Sequence, residues 1–213
     1  PLECLTGRLG QSLAVPQSAR QTLERVAPSV GVSLTPAQID ALLAYLELIQ
    51  KWNKVYNLTA VRDPAEMLTH HLLDSLAVIT PLRLRLTRAE ENLEVKSAEV
   101  KPRETRLLDV GSGAGLPGIV IAICCPEIRV DCVDTVAKKA AFIQQVAVTL
   151  KLPNLRGLHA RVENLTEPYD VISSRAFASL VDFTNWSEKA LAEQGVWMAM
   201  KGKHPSDGLA ALP

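Results

Sequence analysis

Clustered glycines are the residues of this chain best suited to contact a nucleotide-like ligand. Gly111, Gly113 and Gly115 occupy alternate positions in the stretch 107–118, between an apolar run and an apolar helical pattern. Glycine allows positive φ and close approach of the backbone to a ligand, and the start of a helix presents free N–H groups. The order predicts a buried parallel strand, a tight turn and a helix, the first unit of a nucleotide-binding α/β domain. An ordinary glycine-rich turn is the alternative.

Two aspartates beside this loop narrow the choice of ligand. Asp134 ends the second predicted strand, where an acidic side chain accepts hydrogen bonds from a ribose diol. Asp109 stands two residues before the first glycine, a position that suits an ammonium or sulfonium group better than a phosphate. Leu116 stands where the third glycine of a Gly-x-Gly-x-x-Gly pyrophosphate loop would fall. These features favour S-adenosylmethionine over NAD, while the alternative is that Asp109 only caps the turn by accepting local N–H groups.

Length and composition bound the class of protein. The 213 residues, 47% hydrophobic and 22% charged, suit one α/β domain with an extra helical portion. The formal net charge is zero, so contact with nucleic acid would need a local basic face. No apolar run is long enough to span a bilayer and no signal-peptide pattern opens the chain. Three of the four cysteines, Cys124, Cys125 and Cys132, lie in apolar runs, which predicts buried thiols, no metal site and a cytoplasmic protein.

Residues 1–82 are predicted to form a small N-terminal helical extension. Thr35 begins a capping box with proline at the first helical position, and apolar residues then recur at helical spacing to about Trp52. Asp63 opens a second helix in the same way. That helix carries His70, His71 and Asp74, without the i, i+4 histidine pair of a zinc-binding helix, so we interpret them as structural or surface groups.

Two further stretches of this region leave their roles open. Residues 51–59, KWNKVYNLT, mix aromatic, amide and basic side chains that can stack on and hydrogen-bond to nucleotides. They equally fit a helix end whose Trp52 and Tyr56 pack against the main domain. Residues 83–106 alternate basic and acidic side chains, which predicts a solvated linker or insertion before the α/β domain of residues 107–213.

The remaining pattern alternates helices and strands. A helix over 136–150 carries Lys138 and Lys139 in its first turn, where cations oppose the helix dipole. These lysines either bind an external anion or are solvated surface groups. Strands over 156–159 and 169–173 and a strand over 195–200 complete a predicted parallel sheet with helices on both faces. The fourth strand delivers Ser174 and Arg175 to the carboxyl edge, where ligands of open α/β sheets gather.

Several of these stretches together resemble one family, the bacterial small-subunit ribosomal RNA methyltransferase G, also called glucose-inhibited division protein B. They are 51–59, 71–75, 109–118, 174–178 and Lys201-Gly202, and the resemblance runs from about Leu34 to Lys203 apart from the charged segment. It implies a Rossmann-like fold and S-adenosylmethionine-dependent methylation of a guanine N7 in 16S ribosomal RNA of the small subunit. The charged segment is longer than the family's usual connection, and we expect the family's final pair of strands to be missing here.

The residues after the fourth strand partly support this chemistry. Enzymes that methylate exocyclic amines usually carry an Asn/Asp-Pro-Pro-aromatic tetrad there, whereas this chain has Ser-Arg-Ala-Phe at 174–177. No cysteine follows Cys132 to attack a pyrimidine carbon. Guanine N7 has an exposed lone pair, so catalysis can rest on alignment and exclusion of water. We predict that Arg175 is the catalytic residue and binds guanine O6, a phosphate or the cofactor carboxylate. A structural ion pair with Asp170 or Asp109 is the alternative.

The predicted site falls into two sets. The cofactor set is Asp109, Gly111, Gly113, Gly115, Leu116, Asp134, Val162, Glu163 and Arg175. The resemblance implies five of these by position, namely Gly111, Leu116, Val162, Glu163 and Arg175. The RNA-binding set is Lys138, Lys139, Arg161, Lys201 and Lys203. We expect a monomer that acts on 16S ribosomal RNA. A small-molecule methyltransferase and a non-catalytic RNA-binding assembly factor are the alternatives, and an NAD-dependent dehydrogenase is least favoured.

Overall fold

The centre of the molecule is a sheet of five parallel strands in the order β3-β2-β1-β4-β5. The computed structural model describes residues 17–94, 104–175 and 179–200. The strands are β1 (Thr105–Val110), β2 (Ile128–Asp134), β3 (Leu155–His159), β4 (Tyr169–Arg175) and β5 (Leu191–Met200). Strand order reverses between β1 and β4, and this reversal opens a crevice at their carboxyl ends. The predicted α/β fold is confirmed.

Helices cover both faces of the sheet, as predicted. They are α1 (Gln17–Val26), α2 (Pro36–Tyr56), α3 (Pro64–Met67), α4 (Asp74–Leu76), α5 (Ile79–Glu94), α6 (Gly118–Cys124), α7 (Ala137–Thr149) and α8 (Leu180–Ser187). A π-helical segment, Leu68–Leu73, joins α3 to α4. Short 3₁₀ helices lie at Ala27–Val30, Val162–Asn164 and Glu188–Ala190.

The predicted capping box at the start of α2 also attaches that helix to the main domain. Thr35 Oγ1 accepts the Gln38 N–H at 3.2 Å, and Gln38 Oε1 accepts the Thr35 N–H at 2.9 Å. The Gln38 amide group donates further to the carbonyl oxygens of Ile123 and Cys124, both at 3.3 Å. One side chain therefore stabilises the first turn of α2 and bonds the end of α6.

The interpretation of residues 83–106 as a linker is wrong for its first half, because α5 extends to Glu94. Leu82 is buried and Leu86 packs against the core, so one side of this helix is apolar despite its many charges. Arg83 Nη2 donates to the Cys124 carbonyl at 2.8 Å. Residues 95–103 lie outside the described residues, and the three-part division of the chain stays a prediction.

A single hydrophobic core joins the N-terminal helices to one face of the sheet. It includes Leu42 and Ile49 of α2 together with Ile119 of α6 and Phe142 of α7. A second, smaller cluster on the opposite face contains Leu108, Val110, Ile172, Phe183 and Tyr169. The N-terminal helices thus bury the same apolar surface that α6 and α7 bury.

A polar cluster binds four strands together on the face of the smaller core. Asp131 in β2 is fully buried and accepts two hydrogen bonds from the Arg156 guanidinium of β3, at 2.9 and 2.7 Å. The Tyr169 hydroxyl of β4 donates to the same carboxylate at 2.8 Å. Arg106 of β1 lies over the Tyr169 ring, 4.7 Å from its centroid, and pairs with Glu167. Asp131 is therefore a buried charge with bidentate compensation.

Candidate functional site

The glycine loop has the backbone geometry that its sequence predicts. Gly111, Gly113 and Gly115 have φ values of 65°, 58° and 91°. A Cβ atom on Gly115 would lie 2.2 Å from Ile119 Cδ1, whereas one on Gly113 would meet nothing within 4 Å. The loop is therefore packed closely against α6 on one side and open on the side of Gly113.

The N–H groups of this loop are largely hydrogen-bonded within the protein. The Gly111 N–H donates to Val133 O at 2.9 Å, and the N–H groups of Gly115 and Leu116 donate to Ser112 O at 2.7 and 3.1 Å. Two aspartates accept the others: Asp134 Oδ2 accepts the Gly113 N–H at 3.1 Å, and Asp109 Oδ2 accepts the Gly118 N–H at 3.0 Å. A pyrophosphate site needs such donors to face the ligand. The loop is thus built to lie against a ligand and not to surround a phosphate.

Asp109 lies beneath the loop with no exposed surface. Its Oδ1 accepts the Ser173 hydroxyl at 2.9 Å and its Oδ2 accepts the Gly118 N–H at 3.0 Å. Burial raises the pKa of this carboxyl to about 7, although both hydrogen bonds and the charge of Arg175 act to lower the pKa. These contacts match the alternative interpretation from the sequence, in which Asp109 caps the turn by accepting hydrogen bonds within the protein. Direct contact with an ammonium or sulfonium group stays a prediction.

Asp134 at the end of β2 connects the loop to the start of α7. Its Oδ1 accepts the Val136 N–H at 2.9 Å and its Oδ2 accepts the Gly113 N–H at 3.1 Å. Lys139 Nζ is 3.8 Å from Oδ2, so Lys139 has an internal anion as partner, whereas Lys138 is exposed. A carboxylate offers about four acceptor positions, which leaves capacity for the hydroxyls of a ribose.

Helix α2 contributes a site residue that sequence reasoning missed. Tyr45 is fully buried and its hydroxyl donates to the Ala114 carbonyl at 2.6 Å, which ties the loop to α2. The available signal was a hydroxylated aromatic ring inside the apolar stripe of this helix. Trp52 on the same helix packs edge-on against Phe142, 5.4 Å between ring centroids, while Tyr56 stays 40% exposed.

The end of β4 brings Arg175 against the N-terminal helices. Its Nη1 donates to the His70 carbonyl oxygen at 2.8 Å. This carbonyl partner was not expected from the sequence, and the catalytic role of Arg175 stays a prediction. Ala176 and Phe177 lie outside the described residues, as do Lys201 and Lys203 of the RNA-binding set.

His71, also missed as a site residue, lies buried close to Arg175. Its Nε2 is 3.0 Å from Thr59 Oγ1, and the Thr59 N–H donates to Asn53 Oδ1 at 3.0 Å. Burial, with a smaller contribution from the charge of Arg175, lowers the pKa of His71. His70 and Asp74, by contrast, are exposed. Spacing along the helix could not reveal this contact, because it depends on the loop that precedes the helix.

Comparison with known proteins identifies the family. The model of the family described as rRNA small subunit methyltransferase G matches residues 38–213. The chain belongs to this family. Among its relatives, "Ribosomal RNA small subunit methyltransferase G" of Albidiferax ferrireducens is 65% identical over 193 residues, covering 91% of this chain and 84% of the relative. The protein of the same name from Polaromonas naphthalenivorans is 63% identical over 200 residues, covering 94% of this chain and 86% of the relative. The one from Acidovorax ebreus is 62% identical over 196 residues, covering 92% of this chain and 84% of the relative.

Membership in the methyltransferase G family confirms the predicted resemblance and the predicted class of enzyme, an S-adenosylmethionine-dependent methyltransferase. The described residues fit that cofactor. Open space lies in front of Gly113, and Asp134 retains acceptor capacity beside it. Val162 is buried and Glu163 half-exposed in the short 3₁₀ helix that follows β3. This helix follows the carboxyl end of β3, which neighbours β2, so its residues come to the same edge as Asp134.

Other kinds of site find no support in the described ranges 17–94, 104–175 and 179–200. They contain no group of three or more histidine, cysteine or acidic side chains that could hold a metal ion. Cys124, Cys125 and Cys132 are free and buried there. None of the helices among these residues is both long enough and apolar enough to cross a membrane.

Proposed function

We propose that this protein transfers the methyl group of S-adenosylmethionine to N7 of a guanine in 16S ribosomal RNA. The family and the names of the relatives support a small-subunit ribosomal RNA as substrate. The acceptor atom is inferred from the resemblance of the glycine loop and the Ser174-Arg175 segment, together with the chemistry of the site.

The side chains around the carboxyl ends of β1 and β4 support N7 as the acceptor atom. Both oxygens of Asp109 accept hydrogen bonds within the protein, and the His71 imidazole is buried. Burial raises the pKa of the Cys132 thiol well above its ordinary value. None of these three groups is placed to remove a proton from a substrate. Guanine N7 needs none removed, because its lone pair lies exposed in the plane of the base.

Each group of site residues then has a task. Asp134 binds the ribose hydroxyls, Gly111 to Leu116 lie against the methionine part, and Val162 and Glu163 contact the adenine. When bound, the cofactor supplies a methyl group on a positively charged sulfur. Arg175 orients the target base by donating to its O6 atom or to an adjacent phosphate, because a planar guanidinium binds such acceptors in a fixed geometry.

The RNA surface includes two exposed basic groups from the predicted set, Lys138 and Arg161. We propose that the end of α2 extends this surface, since Lys51, Lys54 and Tyr56 are also exposed. The contact of Trp52 with Phe142 brings the end of α2 next to the first turns of α7. Lysines around an exposed ring suit a looped RNA whose unstacked base can stack on the ring.

Tritium transfer from labelled S-adenosylmethionine to unmodified small ribosomal subunits tests this function. We expect label in 16S RNA as 7-methylguanine, a loss of at least about a hundredfold in Arg175→Ala because a misplaced substrate loses alignment, and no transfer in Gly111→Arg. A conservative Arg175→Lys variant should recover little, because an ammonium cannot bond in a planar fork. Cofactor binding without transfer to any RNA would favour a non-catalytic assembly factor, and transfer to a small molecule alone would favour the other alternative.

We also propose that the protein acts as a monomer in the cytoplasm. Burial raises the pKa of the Cys124 thiol to about 12, and Cys125 and Cys132 are likewise buried and free, which suits a reducing compartment. Light scattering of the intact protein tests the oligomeric state, and a mass that rises with concentration would contradict it.

A further inference from the structure

The π-helical segment Leu68–Leu73 changes the hydrogen bonding of the helix opposite Arg175. In a regular α-helix the Asp74 N–H would bond the His70 carbonyl. Here it bonds the carbonyl oxygens of Thr69 and His71 instead. His70 O is thereby available to the Arg175 guanidinium, whose Nη1 donates to it at 2.8 Å. Single π-helical turns inside α-helices occur frequently at functional sites.

A chain of partly buried hydrogen bonds connects this segment to α2. Asn53, 3% exposed, holds both ends of the loop after α2: its Oδ1 accepts the Thr59 N–H at 3.0 Å and its Nδ2 donates to Val61 O at 3.2 Å. Thr59 Oγ1 accepts the Val61 N–H at 3.2 Å and lies 3.0 Å from His71 Nε2. His71 therefore ties the segment to the loop after α2, in addition to the packing of its buried Leu68 and Leu72.

The electrostatic setting keeps His71 neutral beside a guanidinium. The imidazole is only 2% exposed, and burial, followed by the charge of Arg175, lowers its pKa. His71 Nδ1 and Ser75 Oγ are buried and have no hydrogen-bond partner among the residues that the structure describes. A buried polar group without a partner is costly, and in native structures such groups occur at sites of strain or catalysis.

We propose that His71 is a positioning residue for methyl transfer and that it acts through Arg175. Its bond to Thr59 keeps the segment in the π-helical pattern, and that pattern presents the His70 carbonyl that orients the guanidinium toward the target base. Without the bond the segment returns to the α-helical pattern, in which the Asp74 N–H takes the His70 carbonyl and Arg175 loses its partner. This inference rests on the proposed function of Arg175.

The full-length variants His71→Leu and Thr59→Val test the proposal with small ribosomal subunits as substrate. We expect kcat to fall about tenfold or more, because a displacement of about 1 Å remote from the chemistry can cost about a hundredfold. The Kd for S-adenosylmethionine should stay within about twofold of the wild-type value, because neither substitution changes a residue assigned to the cofactor and separate sites act independently. His71→Gln, whose amide reaches the position of Nε2, should retain most of the activity. His71→Asn, whose amide reaches only the position of Nδ1, should not.

The decisive comparison is a double-mutant cycle. If His71 acts through Arg175, His71→Leu slows the wild type but adds no further loss to Arg175→Ala. Equal slowing in both backgrounds would overturn the proposal, as would full activity of both His71→Leu and Thr59→Val. Thermal unfolding checks the fold of every variant. Should His71→Leu not fold at the assay temperature, Thr59→Val with Arg175→Ala forms the same cycle, because valine preserves the shape of threonine.

The controls separate this inference from the proposed function. A wild-type protein that transfers no label to ribosomal RNA would overturn the proposed function and the inference with it. If the wild type transfers label and Arg175→Ala shows the large loss expected of it, His71 and Thr59 variants as active as the wild type would overturn the inference alone.

Discussion

Asp109 shows how one side chain can serve structure at a catalytic edge. The sequence indicated its place beside the glycine loop, and it also left open whether the carboxylate meets a ligand or holds the turn. Only the fold could show that Ser173, sixty-four residues further along the chain, donates to it. The place of Asp134 at the end of β2 was easier to predict because it follows from the strand pattern alone, whereas its bond with Gly113, twenty-one residues earlier, needed the fold. Its contact with a ribose stays a prediction.

The raised pKa of Asp109 predicts a stability that depends on pH. A folded-state pKa of about 7 means that the folded protein holds this proton more tightly than the unfolded chain does. Between the unfolded value of about 4 and about 7, the free energy of unfolding should therefore fall as pH rises, by at most about 1.4 kcal/mol per pH unit. Asp109→Asn cannot titrate and should remove this fall, while its amide can still bond both Ser173 and Gly118.

Urea unfolding of the wild type and Asp109→Asn at several pH values checks this prediction. The difference between the two proteins is the quantity to follow, because His71, whose folded pKa is lowered, contributes a slope of the opposite sign below about pH 6.5. Glu188→Gln, at an exposed position, is the matched control. Parallel curves for wild type and Asp109→Asn would contradict the prediction.

At the scale of elements, the parts that follow local rules were predictable. The capping box at Thr35 and the alternation of strands and helices were found because capping residues and periodicity are local signals. The π-helical segment has no such signal, since its pattern depends on the bond between His71 and Thr59. Helix α5 was misread as a linker because its charges outnumber the leucines that it buries.

The bond from α2 to the glycine loop makes its own prediction. Tyr45→Phe removes the donor to Ala114 O and leaves a buried carbonyl without that partner, which should lower the free energy of unfolding by about 1–3 kcal/mol. Urea unfolding measures the loss. Tyr56→Phe on the same helix, at an exposed ring, should change stability little. Equal effects of the two substitutions would show that the Tyr45 hydroxyl does not support the loop.

At the scale of the whole molecule, the sheet is held by two different means on its two faces. One face buries a large apolar core shared with the N-terminal helices, and the other combines a smaller core with the Asp131 cluster. This cluster could have been found from the sequence, because Asp131 and Arg156 face each other in neighbouring predicted strands. The shared core could not, since periodicity tells which helix face is buried but not what covers it.

Single and double substitutions in the Asp131 cluster should not have additive effects on stability. Asp131→Asn removes the buried carboxylate that binds Arg156 and leaves Glu167, 3.9 Å away, as its remaining anion. Because the Arg156 side chain is 40% exposed, we expect the free energy of unfolding to fall by about 1–3 kcal/mol, the cost of a lost buried hydrogen-bond partner. Asp131→Leu combined with Arg156→Met removes both charges and should lose less than the sum of the two single changes. Chemical denaturation of the wild type, Asp131→Leu, Arg156→Met and the double variant gives the comparison, and strict additivity would show that the pair is not coupled.

The internal hydrogen bonds of the glycine loop bear on how the enzyme captures its cofactor. Because the N–H groups of Gly111, Gly113 and Gly115 are bound to the protein itself, the loop holds its shape before any ligand arrives. Binding then requires little ordering of the backbone, and more of the contact energy remains as affinity. The same preorganisation lets a released product leave a cleft that is already shaped for the next cofactor molecule.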